Sequence, residues 1–297
     1  MKARTLSPPL TMQGAPLPMI FIVLWSSGYI GGAIGILYAE PFTMTFLRFA
    51  LAALIMLGVL VVTRTPMPGS VMQVVHMAIV GIFMQALQFG GLYAGMRHGV
   101  PAGQSALIVG LMPVVVGLLA GPLLGEKVTW RQWIGLGLGL GGVVLVLSER
   151  LGEGYGALLG YGFTAAALVG ISAGTLYQKR FCGGFDLRTT GFVQMVVGAT
   201  VMLGAAYATE TMAIDWTPAF VGSVIWLALV NSIGALLVLY AMIRRGEATK
   251  VASLFFLIPP VTQVMASATL GEIPTTLALA GFVLAAGGVW LSVKPAK

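Results

Sequence analysis

The sequence predicts an all-α integral membrane protein with ten transmembrane helices, arranged as two inverted repeats of five helices each. Three features support this prediction: a shortage of charge, ten long apolar runs, and motifs that recur in the second half. Of the 297 residues, 58% are hydrophobic and only 8% are charged, whereas a soluble domain carries about 25% charged residues. Because so few charged side chains cannot cover a water-exposed surface of this size, lipid must surround most of the chain.

The ten apolar runs are each long enough to cross a hydrocarbon core of about 30 Å, which takes about 20 helical residues. They are continuous in Leu, Val, Ala, Ile and Gly and lack the alternation of a barrel strand, so we predict helices. The predicted spans are residues 17–37, 43–63, 72–96, 102–121, 130–148, 154–178, 188–208, 218–243, 250–269 and 276–293.

The spans divide the chain into four regions. The first residues lack the apolar stretch and small-residue cleavage site of a signal peptide. We predict an N-terminal tail at residues 1–16, a first repeat at 17–149 with spans 1 to 5, a second repeat at 150–293 with spans 6 to 10, and a C-terminal tail at 294–297.

The basic residues predict the orientation of the protein in the membrane. If the N-terminus is cytoplasmic, 13 of the 16 Lys and Arg residues lie in cytoplasmic segments, and only Arg48, Arg97 and Arg150 do not. Such an excess is typical of cytoplasmic loops. We therefore expect a multi-pass protein of the cell membrane, the inner membrane in a bacterium, with both termini in the cytoplasm. The scattered basic residues also argue against a nucleic-acid-binding surface, despite a net charge of +7.

Several motifs of the first half recur in the second half in the same order. Residues 93–99 recur as 240–246, Pro113 with Gly125-Glu126 recurs as Pro259 with Gly271-Glu272, and residues 141–143 recur as 287–289. Because each repeat has an odd number of spans, the second copy enters the membrane upside down, as in many transporters. Two such copies can exchange conformations, so that a site between them opens first to one side and then to the other.

These motifs, with their order and spacing, resemble EamA-type members of the drug/metabolite transporter superfamily. The resemblance is carried by residues 24–29 (LWSSGY), Pro41 ahead of Arg48-Phe49, Ser105-Ala106-Leu107 through Pro113 to Gly125-Glu126, and Ser253-Leu254 through Pro259-Pro260 to Gly271-Glu272. It covers nearly the whole chain. It implies a ten-helix carrier lined mainly by spans 1, 3, 4 and 6 and their repeat partners. Members of the family move amino acids, vitamins such as riboflavin, nucleobases or drugs, so the cargo stays open.

Polar side chains in the middle of spans are the first candidates for substrate binding. Lipid offers them no hydrogen-bond partner, and an unpartnered buried polar group costs about 1 to 3 kcal/mol. The candidates are Gln85 and Gln88 on one face of span 3, Asn231 with Ser232 at the matching depth of span 8, Tyr161 and Ser172 in span 6, and Gln263 in span 9. The alternative role for each is a hydrogen bond that holds two helices together.

Two aromatic residues, Trp25 and Tyr29, lie near the middle of span 1. Membrane aromatics usually lie at the interfaces, so a central pair suggests a stacking wall for a partly apolar substrate. Plain packing between helices is the alternative, because large aromatic side chains also fill apolar cores.

Prolines at related positions, Pro113 in span 4 and Pro259-Pro260 in span 9, remove backbone donors and are expected to kink both helices. The kinks could serve as gating joints or as static bends. Glycines four residues apart, as in Gly28-xxx-Gly32 and Gly135-xxx-Gly139, predict close helix contacts within the chain or with another copy.

Charged residues near helix ends have alternative roles. For Arg48, inside span 2, we expect the side chain to reach the interface or to pair with Glu40, with binding of an anionic group as the alternative. Glu126 and Glu272 lie at equivalent helix ends, where capping or ion pairing is expected.

Catalytic patterns are present only by accident. Residues 137–142 match a dinucleotide-binding pattern without a preceding strand, and residues 170–174 match a nucleophile elbow inside an apolar helix. One cysteine, Cys182, and two histidines supply neither a disulfide nor a metal cluster. We therefore predict no enzyme activity, no catalytic residue, no metal and no cofactor.

The sequence thus predicts an alternating-access transporter, an exporter or exchanger, for a small neutral, zwitterionic or aromatic metabolite such as an amino acid, or for a drug-like compound. Uptake of a riboflavin- or nucleobase-type metabolite is the alternative within this fold, and an intramembrane lipid-modifying enzyme is the alternative of another class. No Asp or Glu lies within a predicted span, which favours facilitative transport or exchange that no buried carboxylate drives. The expected partners are a small-molecule substrate and the lipid bilayer, with no nucleic acid, for a monomer or homodimer.

Overall fold

The computed structural model of the chain describes residues 16–124, 129–148, 155–235, 238 and 255–293. These residues are helical apart from short connections. The one β-type contact among them is an isolated antiparallel bridge between Ala39 and Ile214. The all-α fold class is therefore confirmed.

The described part of the first half contains seven α-helices and one π-helix. They are α1 (Pro16–Gly35), α2 (Pro41–Thr63), α3 (Val71–Gly81), the first π-helix (Ile82–Leu87), α4 (Gln88–Arg97), α5 (Ala102–Val109), α6 (Met112–Leu124) and α7 (Trp130–Ser148). The three consecutive elements from Val71 to Arg97 form one continuous rod, which is predicted span 3. Span 4 consists of α5 and α6.

The described part of the second half has the same succession of rods. It contains α8 (Tyr155–Phe181), α9 (Leu187–Thr209), α10 (Pro218–Trp226), the second π-helix (Leu227–Gly234), a 3₁₀ turn (Phe255–Leu257), α11 (Ile258–Leu270) and α12 (Thr276–Val293). Each predicted span therefore contains a described helix. Where both ends are described, the predicted and observed bounds agree within a few residues.

Length and hydropathy show which described helices can cross a membrane. Six rods are long and apolar enough, and three apolar helices are shorter in the described residues: Trp130–Val146, Pro218–Gly234 and Thr276–Gly288. Large apolar side chains such as Val62 and Val283, 82% and 74% exposed, lie on the outside of the bundle. Such surfaces are stable only against lipid, so the chain is a multi-pass membrane protein.

The helix starts follow from local sequence. Pro41 and Pro218 occupy the first turns of α2 and α10, where a backbone N–H has no intrahelical partner to lose. The side chain of Thr217, just before α10, accepts a hydrogen bond from the Phe220 nitrogen at 3.2 Å, which satisfies one of the free donors of that turn.

Helix packing is repeated between the halves with the partners exchanged. Helix α1 packs against α10, the second π-helix and α11, and its counterpart α8 packs against α3, the first π-helix, α4, α5 and α6. The counterparts α2 and α9 pack on each other, and so do α7 and α12. A two-fold relation between the repeats produces this exchange of partners, which agrees with the inverted arrangement predicted from the odd number of spans.

Glycine allows α7 and α12 to approach closely. A Cβ atom on Gly288 would lie 2.5 Å from the carbonyl oxygen of Gly135, and one on Gly142 would lie 2.5 Å from that of Gly281. Backbone-to-backbone contact of this kind is typical of small residues between membrane helices. The predicted close contact at Gly135-xxx-Gly139 thus lies within the chain.

The Glu272 carboxylate joins the end of α11, in the second half, to the start of α5, in the first half. Glu272, after α11, accepts hydrogen bonds from the backbone nitrogens of Ala102 and Gly103, at 2.9 and 3.3 Å. These nitrogens begin α5, where a helix favours negative charge. The capping role expected for Glu272 is confirmed, and Glu126 lies outside the described residues.

Candidate functional site

The guanidinium of Arg48 lies in the interior of the helix bundle. Arg48 is in the third turn of α2, and its side chain is only 1% exposed. It does not reach the interface, and among the described residues no ion pair joins it to Glu40. A Glu40 carboxylate oxygen instead accepts a hydrogen bond from the Thr211 nitrogen at 2.7 Å. Both roles that we expected for Arg48 are therefore wrong.

Hydrogen bonds to three neutral side chains hold this guanidinium. Its Nε donates to the Ser232 hydroxyl at 2.9 Å, its Nη1 to the Tyr93 hydroxyl at 2.6 Å, and its Nη2 to the Asn231 side-chain oxygen at 2.5 Å. The Phe89 ring covers one face, with Cζ 4.1 Å from the ring centroid. We call Arg48, Phe89, Tyr93, Asn231 and Ser232 the Arg48 cluster.

The Arg48 cluster is also joined to α1. The Asn231 amide nitrogen lies 3.3 Å from the Leu24 carbonyl oxygen and 3.4 Å from that of Trp25, and it donates to both. The Tyr93 hydroxyl donates to the Gly28 carbonyl at 3.3 Å. Four spans, numbers 1, 2, 3 and 8, therefore meet at one buried polar centre.

Two glycines of α1 make room for this centre. A methyl group on Gly28 would overlap the Asn231 amide, and one on Gly32 would overlap the Tyr93 ring. The Gly28-xxx-Gly32 motif predicted a close helix contact, and the contact is with two members of the Arg48 cluster.

Positive charge in the Arg48 cluster is not balanced by a carboxylate among the described residues. No acidic side chain of the described residues lies within ion-pair distance of Arg48. The Glu210 carboxylate follows α9 and lies at the start of α2, the helix that carries Arg48. It accepts hydrogen bonds from the nitrogens of Phe42 and Thr43 at 2.7 Å each. All nine acidic residues of the chain lie outside the predicted spans. A buried arginine of this kind attracts an anionic group.

The two π-helices hold equivalent residues of the two repeats. Gln85 lies in the first π-helix and Asn231 in the second, separated by 146 residues, which is also the separation of Pro113 and Pro259. π-Helices are rare and frequently occur at functional sites. Gln85 and Asn231, which the sequence places at matching depth, therefore both lie in a π-helix.

The glutamines of span 3 both lie against helices of the second repeat. Gln85 is half-buried, and its Cβ would lie 2.7 Å from a Cβ placed on Gly198 of α9. Gln88 is buried, 3% exposed, with its backbone against Gly170 of α8. Neither side chain belongs to the Arg48 cluster.

The two aromatic residues of span 1 have different surroundings. The Trp25 ring is half-buried and lies 5.4 Å from both the Phe21 and the Phe255 ring centroids, nearly edge-on to Phe255. Tyr29 is buried in the main apolar cluster together with Tyr93 and Leu227. Trp25 is thus part of an aromatic group between α1 and the start of span 9.

The remaining predicted residues, Tyr161, Gln263 and Ser172, are not members of the Arg48 cluster. The Tyr161 hydroxyl donates to the Gln104 side-chain oxygen between α8 and α5. Gln263 donates to the Glu272 carbonyl oxygen at 3.2 Å. The buried Ser172 hydroxyl has no hydrogen-bond partner among the described residues.

The prolines lie where two spans meet. Span 4 is interrupted between α5 and α6, immediately before Pro113. Pro259 and Pro260 occupy the first turn of α11, after the 3₁₀ turn, rather than the middle of a regular helix. A Cβ on Gly110, in the interruption, would lie 2.9 Å from Pro259 Cγ, so the two irregular regions contact each other.

Sequence reasoning missed Tyr93, Phe89 and Ser232 as partners of Arg48. Tyr93 belongs to a motif that recurs in the second repeat and Ser232 follows Asn231, but neither feature indicates a hydrogen bond to Arg48. The absence of any acidic residue from the predicted spans was the available indication that Arg48 needs other partners.

Comparison with known proteins supplies the family. The model of the EamA-like transporter family matches the chain twice, at residues 12–148 and 158–294. A solved crystal structure superposes on the fold with a TM-score of 0.68 at 17% identity, over 93% of this chain and 95% of that one.

Several curated relatives are named as transporters. An uncharacterized transporter, YvbV, of Bacillus subtilis (strain 168) is 27% identical, over 91% of this chain and 88% of its own. A probable amino-acid metabolite efflux pump of Salmonella typhimurium is 24% identical, over 93% of both chains. A probable terminal-alkyne amino-acid exporter of Streptantibioticus cattleyicolor is 31% identical, over 65% of this chain and 64% of its own.

Proposed function

Because this chain belongs to the EamA-like transporter family, we propose that it exports an amino acid or a closely similar zwitterionic metabolite by alternating access. The observation that carries the proposal is the origin of the Arg48 cluster in both repeats. Arg48, Phe89 and Tyr93 come from the first repeat, and Asn231 and Ser232 come from the second. A movement of one repeat relative to the other would assemble and open this polar centre.

The charge of the centre favours a zwitterion or an anion over a cation. The centre contains a guanidinium and, among the described residues, no carboxylate in contact with it. A cationic substrate would be repelled, because charges in a low-dielectric interior interact strongly. The names of two relatives, a probable amino-acid metabolite efflux pump and a probable terminal-alkyne amino-acid exporter, support both the substrate class and the outward direction.

Transport in this proposal is facilitative or exchanging. Carboxylates at mid-membrane depth are the usual proton relays of coupled carriers, and all nine acidic residues lie outside the predicted spans. The substrate gradient would then set the direction of net flux. Both termini lie in the cytoplasm in this proposal, with 13 of the 16 basic residues on that side.

Flux from proteoliposomes tests the proposal. Purified protein is reconstituted into vesicles that contain all twenty standard L-amino acids, and the loss of each is followed by mass spectrometry, with protein-free vesicles as the control. We expect one or a few amino acids to leave at least several-fold faster with protein present, and faster still when the same compound is supplied outside. Equal rates with and without protein, for all twenty, would contradict the proposal.

A further inference from the structure

We propose that Arg48 binds the carboxylate of the transported substrate, through the edge of its guanidinium formed by Nε and Nη2. This inference rests on the proposed function and specifies its substrate class: a compound with a free carboxylate. It follows from how the two repeats divide the contacts of this one side chain.

The first repeat holds the guanidinium in position. Nη1 donates to the Tyr93 hydroxyl at 2.6 Å, and the Phe89 and Phe49 ring centroids lie 4.1 and 5.1 Å from Cζ. Arg48, Phe49, Phe89 and Tyr93 all belong to spans 2 and 3. These first-repeat contacts hold one edge and one face of the guanidinium without any residue of the second repeat.

The second repeat occupies the opposite edge with two consecutive residues. Nε donates to Ser232 at 2.9 Å and Nη2 donates to Asn231 at 2.5 Å. These two N–H groups are parallel, and a carboxylate binds such an edge with both oxygens. The Ser232 hydroxyl and the Asn231 amide oxygen therefore stand where the two oxygens of a carboxylate would lie.

Neutral acceptors are weaker partners for a guanidinium than a carboxylate, because a carboxylate binds both N–H groups and adds the attraction between opposite charges in a low-dielectric interior. When the second repeat moves away, Asn231 and Ser232 leave with it and Tyr93 and Phe89 stay. The exposed edge would then accept a substrate carboxylate, and return of the second repeat would displace it. The exchange of partners couples substrate release to the conformational change.

The second repeat lacks a copy of this charge. Gln194 lies 146 residues after Arg48, in a segment where Phe46 and Met56 recur as Phe192 and Met202 at the same separation. Gln194 is buried, 6% exposed. With a neutral amide at this position, Arg48 is the one buried arginine among the residues that the structure describes, so one carboxylate is expected per transport cycle.

The test compares free amino acids with their carboxamides, which keep the side chain and the amino group but lose the negative charge. Each of the twenty L-amino acids and its carboxamide is assayed in proteoliposomes. Wild-type protein is expected to transport the free acid at least tenfold faster than the amide. The variant Arg48→Gln should abolish this preference, and Arg188→Gln, which removes a cation outside the cluster, should preserve it.

A second variant keeps the test decisive if Arg48→Gln does not fold. Asn231→Asp places a fixed carboxylate on the same edge with almost no change of shape, so it should lower free-acid flux at least tenfold while the apparent melting temperature is kept or raised. If wild type transports free acids but shows no preference over amides, or a folded variant retains full preference and flux, the Arg48 assignment is overturned and the proposed function stands. If wild type transports none of the forty compounds, the proposed function is itself contradicted.

Discussion

The carboxylate of Glu210 accepts hydrogen bonds from both the backbone nitrogen and the hydroxyl of Thr43, each at 2.7 Å. It thereby joins the end of α9, in the second repeat, to the start of α2, in the first. Glu272 makes the equivalent kind of contact with the start of α5. Ends of helices from the two repeats are thus held together at one edge of the bundle by carboxylates at helix N-termini.

Replacing Glu210 with Gln should weaken this contact. Hydrogen bonds to a charged group contribute about 1.5 to 3 kcal/mol, and the negative charge also favours the N-terminus of α2. We expect the midpoint of thermal unfolding in detergent to fall by several degrees. Asp215→Asn is the matched control, because this exposed carboxylate in the same connection accepts no hydrogen bond from the described residues. Equal shifts for the two variants would show that the helix-start contact contributes nothing.

Adjacent glycines in α12 should respond differently to alanine. A Cβ on Gly288 would lie 2.5 Å from the Gly135 carbonyl oxygen, whereas one on Gly287 would meet nothing within 4 Å. Forcing a methyl group into a tight contact costs about 1 to 3 kcal/mol, so Gly288→Ala should destabilise the protein. Gly287→Ala should leave thermal stability unchanged or slightly improved. The close packing of α7 and α12 is refuted if both variants unfold at the wild-type temperature.

Trp25 and Gln85 are predicted to be required for flux and not for folding. Trp25→Ala opens the aromatic group with Phe21 and Phe255, and Gln85→Ala removes the amide carried by the first π-helix. Both variants should elute as wild type in size-exclusion chromatography and lose most amino-acid flux. Trp130→Ala, at a side chain 65% exposed on the outside of the bundle, serves as the control. Normal transport by both variants would remove these residues from the site.

The start of α9 should contribute a small pH-dependent stability. The hydrogen bond from the Arg188 side chain to Asp186 holds the pKa of that carboxyl below its usual range. A lowered folded-state pKa means that the stabilisation is present above the unfolded pKa of about 3.9 and is lost as the pH falls through the folded value. Both side chains are partly open to solvent, 42% exposed for Arg188 and 29% for Asp186, so we expect the contribution to be small. Asp186→Asn should remove this part of the pH dependence, measured by thermal unfolding between about pH 5 and pH 2.

Much of the fold could be predicted because hydropathy is a property of consecutive residues. Bounds such as Pro41–Thr63 and Leu187–Thr209 agree closely with the predicted spans 43–63 and 188–208. Polar residues at mid-span depth, such as Asn231, could be recognised as functional candidates for the same reason. The hydrogen-bond partners of these residues could not be predicted, because they lie on other spans, far away in the sequence.

The sequence by itself determined the apolar spans, the two repeats and the exclusion of acidic residues from the membrane interior, since each is written in the order and composition of the chain. Only the tertiary structure decided that Arg48 is buried and that its guanidinium lies between Tyr93 and Asn231. The side chain is long enough to reach either the interface or the bundle interior, and the choice depends on the free energy of packing against helices far away in the sequence. Gly28 and Gly32 of α1 give the space in which that packing is possible.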